Sequence, residues 1–259
     1  MTVYVSTLHD PHNNVPDDQE YDRQHANMFF DLLHKTLLNK FYDYLVPVDV
    51  DGQRFPWANG SYTGIGTSGL DNIRFCCQQV IADNIPGDFM EAGVWRGGAA
   101  IAMATIAKYY NQCRTTWLLD SFQGMPPLNT ECPHEVTDYS ALTGLAVPLQ
   151  AVVDAFKLFD VFDRVVFVPG WLKDTLPGLV LSSPLAVLRL DTDYYESTLI
   201  SLVTLYPAIS PGGWVVVDDY DCVPGAKTAV DQYRQERNIT HQMYRMNHKH
   251  GMGVYWQKG

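Results

Sequence analysis

The sequence predicts an α/β protein with a mostly parallel sheet and helices on both of its faces. From about residue 88 onward, short apolar runs alternate with segments whose apolar residues recur at helical spacing. Such alternation is typical of parallel sheets, because the connection between two parallel strands usually carries a helix. The 259 residues, 46% of them hydrophobic, are enough for one large α/β domain or two small ones with a substantial core.

The N-terminal part of the chain differs from the rest. Residues 1 to about 20 are polar and contain proline, so we expect a loose arm there. From Tyr21 to Tyr44 the apolar residues recur at helical spacing. We therefore expect an N-terminal arm and helical cap over residues 1–60, followed by the main domain over residues 61–259.

The main domain contains the alternating elements. A helix is predicted from Leu70 to Asn84, with Thr67 or Ser68 as its N-cap. The apolar runs that predict parallel strands span residues 88–93, 115–120, 164–170, 185–191 and 214–219. The helices predicted around them are Gly97–Tyr110, Val147–Phe159, a short one after Trp171, Glu196–Tyr206 and Gly225–Arg237. Two more strands between Gln242 and Trp256 predict an antiparallel hairpin at one edge, which completes a seven-stranded sheet.

One long segment interrupts this alternation. Between Asp120 and Val147 the chain is rich in proline and shows neither a strand nor a helix pattern. Loops of this length inside compact domains are usually functional or disordered. Because this one follows the carboxyl end of a strand, we expect a lid insertion near residues 123–147.

Charge and cysteine content exclude several classes of function. The 18 basic and 29 acidic side chains give a net charge of -11, and no basic patch offers a site for nucleic acid. The five cysteines include no C-x-x-C pair, which argues against a zinc site or a disulfide framework. We expect a cytoplasmic protein, since the sequence shows no signal peptide and no apolar run long enough to cross a membrane.

Three aspartates mark the ends of two predicted strands. Asp191 follows the run L-A-V-L-R-L, and Asp218 and Asp219 follow W-V-V-V. Ligands of open α/β sheets bind beyond the carboxyl ends of the strands, and a set of carboxylates there suits Mg²⁺ or another divalent cation. One competing interpretation is that Asp191 or Asp193 is a helix N-cap. Another is that Asp218 and Asp219 lie in an exposed turn.

Candidate bases accompany this acidic site. Asp191 itself is one candidate, because metal binding lowers the pKa of a hydroxyl and a modest base then suffices. His248 and His250 are further candidates, with polar residues at a sheet edge as the competing interpretation.

A glycine-rich turn follows the first predicted strand, in E-A-G-V-W-R-G-G. Gly93 permits a tight turn, and Gly97 lets a ligand approach the start of the next helix. Glu91 at the strand end suits an ammonium or hydroxyl group. Asp120 ends the second strand at the spacing where such folds bind ribose hydroxyls. The turn and the spaced acid favour an adenosine-bearing cofactor with a positive amino group, while a plain turn is the competing interpretation.

Two further motifs have weaker support. G-I-G-T-S-G at residues 64–69 matches the dinucleotide fingerprint, but A-N-G-S-Y-T before it is no strand, which argues against a nicotinamide-dependent oxidoreductase. Trp171, in P-G-W after the third strand, either stacks on an adenine or packs in the core.

With these residues in place, the chain resembles the macrocin O-methyltransferase family of S-adenosylmethionine-dependent enzymes. The resemblance runs from about Tyr62 to the C-terminus. It rests on E-A-G-V-W-R-G-G, L-L-D-S-F-Q-G-M-P, F-V-P-G-W-L-K-D-T-L-P, L-R-L-D-T-D-Y-Y-E-S-T and G-G-W-V-V-V-D-D-Y. It implies a Rossmann-like class I methyltransferase fold.

The resemblance also implies roles for individual residues. Glu91 and Gly93 would hold the methionine end of S-adenosylmethionine, and Asp120 with Ser121 would bind the ribose. Asp191 would be the catalytic base. The remaining expected cofactor-binding residues are Thr63, Gly97, Gly170 and Trp171, of which the last two would lie by the adenine. The expected Mg²⁺ ligands are Asp191, Asp218 and Asp219.

The expected function is methyl transfer to a sugar or phenolic hydroxyl of a small natural product in secondary metabolism. Two segments depart from the family pattern, Leu128–Val147 and the closing H-K-H-G-M-G, and both bear on the acceptor. We expect a homo-oligomer, such as a dimer. A non-catalytic S-adenosylmethionine-binding protein of the same fold is the alternative.

Overall fold

The computed structural model describes residues 18–40, 60–135, 137–246 and 253–259. The strands are β1 (Asp88–Ala92), β2 (Thr116–Asp120), β3 (Val165–Pro169), β4 (Leu185–Leu190), β5 (Ile209–Val217), β6 (Met243–Arg245) and β7 (Val254–Gln257). The α-helices are α1 (Asp18–Leu37), α2 (Gly66–Ala82), α3 (Gly98–Tyr109), α4 (Leu149–Leu158), α5 (Leu172–Thr175), α6 (Tyr195–Leu205) and α7 (Pro224–Glu236). His248 and His250 lie outside the described residues.

All seven strands join one sheet in the order β3-β2-β1-β4-β5-β7-β6. The neighbours among β1 to β5 are parallel, whereas β7 runs antiparallel to β5 and to β6. The predicted fold is therefore confirmed, including the antiparallel strands at one edge.

Two predicted boundaries are wrong. The helix α2 begins at Gly66 with Ile65 at the N-cap, so Thr67 and Ser68 lie inside its first turn. The strand β5 begins at Ile209, and Pro211-Gly212-Gly213 belongs to it although the sequence pattern predicts a turn. The Gly212 amide donates to the Lys258 carbonyl at 2.6 Å, so the pairing partner comes from the C-terminal end of the chain.

The core has two parts, one on each face of the sheet. One part joins α1 to α4 with the sheet, and the other joins α6 and α7 with its opposite face. Helix α3 can approach closely because its sequence, G-A-A-I-A-M-A-T-I-A-K-Y, is built mostly from small residues. In α1, Phe30 and Leu37 are fully buried in the first of these parts. The proposed boundary near residue 60 stays a prediction.

The register of the sheet fixes where the functional residues emerge. Ala92 pairs with Leu119 and with Leu190, and Leu190 pairs with Val217. The strands β1, β2, β4 and β5 therefore end side by side at one edge of the sheet. The residues that follow these paired positions are Gly93, Asp120, Asp191 and Asp218.

No helix among the described residues is long and apolar enough to cross a membrane. All five cysteines are free, and the adjacent Cys76 and Cys77 are both buried.

Candidate active site

A cleft of about 360 Å³ lies over this row of strand ends. It is lined by Thr63, Gly64, Ile65, Glu91, Gly93, Val94, Trp95, Ala99, Asp120, Gly124, Met125, Tyr139, Leu142, Leu145, Asp191, Asp193, Asp218, Asp219, Cys222 and Val223. Six of these residues are acidic, and within the part of the chain that the structure describes no lysine, arginine or histidine lines the cleft.

Gly93 forms the floor of the cleft and needs to be glycine for two reasons. Its φ of +80° lies in the left-handed region. A Cβ atom there would also stand 1.8 Å from the carbonyl oxygen of Asp191. The turn after β1 therefore touches the turn after β4 through backbone atoms alone.

Asp120 holds this turn in place from β2. Its Oδ2 accepts hydrogen bonds from the amides of Val94 at 2.7 Å and Trp95 at 3.3 Å. Its Oδ1 accepts one from the amide of Phe122 at 2.7 Å. Burial raises the pKa of Asp120, although these amide hydrogen bonds oppose the shift. A carboxylate has about four acceptor sites and three are in use, so Oδ1 can accept a further hydrogen bond from a ligand hydroxyl.

Thr63 borders the same side of the cleft. Its hydroxyl oxygen accepts a hydrogen bond from the Ile65 amide at 3.4 Å, and the residue is buried. Gly64 also lines the cleft, but residues 60–65 form no strand. Within residues 60–65, the described part before α2, the strand that the dinucleotide fingerprint of a nicotinamide enzyme requires is absent.

Several predicted cofactor residues do not line this cleft. Gly97 has a φ of +85° and packs against α4, where a Cβ would lie 2.9 Å from Cγ1 of Val152. The Ser121 hydroxyl donates to the Gly124 carbonyl at 2.9 Å. The Gly170 amide donates to the Asp120 carbonyl at 2.9 Å. Trp171 lines a second cavity of about 850 Å³. Their roles at the cofactor stay predictions.

The three aspartates at the ends of β4 and β5 come together. Asp191, Asp218 and Asp219 each offer a carboxylate oxygen within 4.8 Å of the others. The N-cap of α6 is Tyr194, which rules out Asp191 and Asp193 for that position. Asp219 is only 8% exposed, so an exposed turn does not describe it.

A buried arginine, Arg189, lies behind these acids and was not predicted from the sequence as a functional residue. Nη1 of Arg189 lies 2.5 Å from Oε1 of Glu91 and 2.9 Å from Oδ2 of Asp191. Its Nη2 forms an ion pair with Oδ1 of Asp218 at 3.0 Å but makes no hydrogen bond. Burial would lower the pKa of this guanidinium, but the three acids raise it well above its usual range. The signal in the sequence was one charged letter inside the apolar run L-A-V-L-R-L.

Arg189 does not provide hydrogen bonds to all the carboxylate oxygens of these acids. Oδ2 of Asp219 and Oε2 of Glu91 are buried and make no hydrogen bond within the described structure. Burial, together with Asp193, Asp191 and Asp218, raises the pKa of Asp219 well above its usual range. Burial and the same acidic surroundings raise the pKa of Asp193 to about 7, and burial raises that of Glu91 to about 8. This arrangement fits a divalent cation, which would compensate the excess negative charge.

The segment after β2, where the sequence predicts a lid, contributes to the lining of the cleft, and its action as a lid stays a prediction. Tyr139, Leu142 and Leu145 contribute to the lining from this segment. The indole of Trp95 donates to the carbonyl of Gly144 at 2.9 Å, which joins the turn after β1 to the lid.

The lid is also tied to α6. The Tyr139 amide donates to the Tyr194 hydroxyl at 2.8 Å, and the two rings stack with centroids 5.8 Å apart. The Asn129 side chain donates to Glu196 at 2.7 Å. These contacts tie the predicted lid segment to the start of α6, the helix that follows β4.

Comparisons with known proteins show which proteins this chain is similar to. The family model described as "Macrocin-O-methyltransferase (TylF)" matches residues 13–258. The demethyldecarbamoylnovobiocin O-methyltransferase of Streptomyces niveus is 38% identical over 250 residues, which cover 90% of this chain and 94% of that protein.

A relative from Streptomyces olivaceus, the 8-demethyl-8-(2,3-dimethoxy-alpha-L-rhamnosyl)-tetracenomycin-C 4'-O-methyltransferase, is 37% identical over 246 residues. Those residues cover 89% of this chain and 92% of that protein. The solved structure of the O-methyltransferase NovP superposes with a TM-score of 0.82 at 39% identity, covering 90% of this chain and 98% of that one.

Proposed function

The chain belongs to the macrocin O-methyltransferase family and is an S-adenosylmethionine-dependent O-methyltransferase of secondary metabolism, and we propose that its reaction requires a divalent cation. The proposed acceptor is a sugar or phenolic hydroxyl of a small natural product. A relative is named for 4'-O-methylation of a rhamnosyl tetracenomycin, which supports an acceptor of this class. The non-catalytic alternative finds no support among these relatives, because they are named as methyltransferases.

One observation carries the proposal: the cleft is lined by six acids and, among the described residues, by no basic side chain. A cleft of this charge attracts positively charged ligands. S-adenosylmethionine carries a sulfonium and an ammonium group. The acids at the ends of β4 and β5 still have unpartnered buried oxygen, which supports a cation beside the cofactor.

Asp191, Asp218 and Asp219 would hold Mg²⁺ or another divalent cation, which when bound lowers the pKa of the acceptor hydroxyl. Asp191 is the most exposed of the acids that Arg189 contacts, with 29% of its side chain accessible, and it accepts the proton from this hydroxyl. Glu91 would hold the methionine end of the cofactor, and Asp120 would accept a hydrogen bond from its ribose. The predicted lid would exclude water and help to position the acceptor hydroxyl for methyl transfer.

The experiment that tests the cation requirement is removal and replacement of the metal. Enzyme dialysed against EDTA is expected to lose methyl transfer to a polyhydroxylated acceptor, with recovery after Mg²⁺ is added. A crystal soaked in Mn²⁺ should show anomalous scattering between the ends of β4 and β5. Full turnover after exhaustive EDTA treatment, with no anomalous peak there, would contradict the proposal.

We also propose that the enzyme is a homodimer. Light scattering coupled to size-exclusion chromatography tests this, since a monomer of 29.2 kDa is readily distinguished from a dimer.

A further inference from the structure

Arg189 occupies an unusual position for a charged residue. It is paired in register with Glu91 of β1 and with Val216 of β5 in the middle of the sheet, and its side chain is 1% exposed. Side chains alternate between the two faces of a strand, so those of Arg189 and Asp191 project from the same face of β4. The guanidinium therefore lies beneath the floor of the cleft.

The contacts of this guanidinium join two different ligand sites. Glu91, at 2.5 Å, is the acid proposed for the methionine end of the cofactor. Asp191, at 2.9 Å, and Asp218, at 3.0 Å, are two of the three proposed cation ligands. A planar guanidinium offers five N–H donors in a fixed fork, whereas a lysine ammonium is a point charge on a flexible stem. Here Nη1 donates to both Glu91 and Asp191 while Nη2 forms an ion pair with Asp218, an arrangement of directions that the single ammonium of a lysine does not reproduce.

We propose that Arg189 is a positioning residue that orients Asp191 and Asp218 for the divalent cation and Glu91 for the cofactor. This inference rests on the proposed cation site. It adds that one buried side chain determines the geometry of both ligand sites, so a change in it disturbs both. A purely structural ion pair inside the sheet would change stability and leave the affinities for the two ligands as they are.

The first test is Arg189→Lys, which keeps the positive charge and removes the planar, forked set of N–H donors. Mn²⁺ affinity is measured by electron paramagnetic resonance of the free ion, and S-adenosylhomocysteine affinity by calorimetry. Both dissociation constants are expected to rise about tenfold, the size of a strong charge-assisted hydrogen bond.

The matched control is Arg114→Lys. Arg114 donates to the carbonyls of Gly87 and Ile85 at the other end of β1, so its loss affects stability away from the cleft. We expect a lower melting temperature and both dissociation constants within about twofold of the wild type. A folded Arg189→Lys protein whose two affinities both equal those of the wild type overturns the proposal, and so does a change in only one of them.

A second pair of variants covers the case in which Arg189→Lys does not fold. Glu91→Gln and Asp120→Asn each remove one negative charge from the cleft, but of the two acids only Glu91 contacts Arg189. With Glu91 neutral, Arg189 binds the two aspartates more strongly and competes with the cation. Mn²⁺ affinity is expected to fall at least fivefold in Glu91→Gln and to stay within twofold in Asp120→Asn. Equal changes in both variants overturn the proposal.

Failure of the cation proposal gives a different result. A wild-type protein that binds no Mn²⁺ and keeps its activity in EDTA refutes the cation site and this inference with it. A wild-type protein that binds Mn²⁺ while the variants bind it equally well refutes the role of Arg189 alone.

Discussion

The acids in the two halves of the cleft differ in the hydrogen bonds that they accept from the protein. In the half formed by β1 and β2, Asp120 accepts three backbone hydrogen bonds through both of its oxygens. In the half formed by β4 and β5, Asp219 keeps a buried oxygen without a partner, and Asp193 adopts a left-handed φ of +53°. In the first half Asp120 is satisfied by the protein itself, and only Oε2 of Glu91, next to Arg189, lacks a partner; in the second half the acids are not satisfied.

This difference supports the proposed placement of the two kinds of ligand in different halves of the cleft. A carboxylate that is already fixed by amides is a well-placed acceptor for neutral hydroxyls, such as those of a ribose. Closely spaced carboxylates with unpartnered oxygen need positive charge from outside, because buried unpaired charge is costly. Arg189 connects the halves by contacting Glu91 on one side and Asp191 and Asp218 on the other.

The largest effect is expected from Asp191→Asn in the unsatisfied half. It removes the proposed base and one cation ligand, so we expect kcat to fall about 10³-fold. S-adenosylhomocysteine affinity measured by calorimetry should stay within a few-fold of the wild type, since the satisfied half is unchanged. Turnover at the wild-type rate would show that this aspartate is dispensable.

Gly93→Ala tests the point at which the halves touch. The new Cβ would meet the Asp191 carbonyl at 1.8 Å in a left-handed backbone, so the free energy of unfolding is expected to drop by about 3 kcal/mol. Denaturant unfolding measures this. Gly64→Ala is the control, because its Cβ would have open space around it. Equal stability of the two variants would contradict the close contact.

Asp120→Ala tests the satisfied half alone. Losing the charged acceptor for a ribose hydroxyl should weaken S-adenosylhomocysteine binding about 30-fold, or about 2 kcal/mol. Asp120→Asn keeps one oxygen, so its affinity for S-adenosylhomocysteine should lie between those of Asp120→Ala and the wild type. Mn²⁺ affinity should change less than twofold in both. Unchanged cofactor affinity in Asp120→Ala would place the ribose elsewhere.

The smallest effect is expected from Trp95→Phe, which keeps an aromatic ring and removes the indole donor to Gly144 of the lid. The acceptor KM should rise about fivefold, the equivalent of one hydrogen bond of about 1 kcal/mol. The control is Trp117→Phe, which removes an indole hydrogen bond to Asp88 at 3.0 Å, at the start of β1 and remote from the lid. It should alter stability and leave KM unchanged.

The sequence predicted the order of the strands along the chain and the acids at their ends, because both follow from local patterns. Each apolar run ends at a polar residue, and the carboxyl ends of parallel strands meet at the same edge of the sheet. The start of α2 at Gly66 was not predictable in this way, since that helix has no side-chain N-cap for the pattern to find. The start of β5 depends on pairing with Lys258, which local sequence does not reveal.

The role of Arg189 was not predicted from the sequence for a related reason. Its partner Glu91 lies 98 residues away in the chain, so nothing near Arg189 explains a charge inside a strand. The contacts of the lid are equally non-local, as with Asn129 and Glu196, which are 67 residues apart. Local patterns predict elements, whereas partners across the sheet decide which polar residues can be buried.

The backbone contact between Gly93 and Asp191 has a consequence for redesign of the enzyme. Since two main-chain segments set the spacing between the turn after β1 and the acidic turn after β4, no exchange of side chains in the predicted lid alters that spacing. We therefore expect that residues 123–147 can be transplanted from a relative without changing the distance between these two turns.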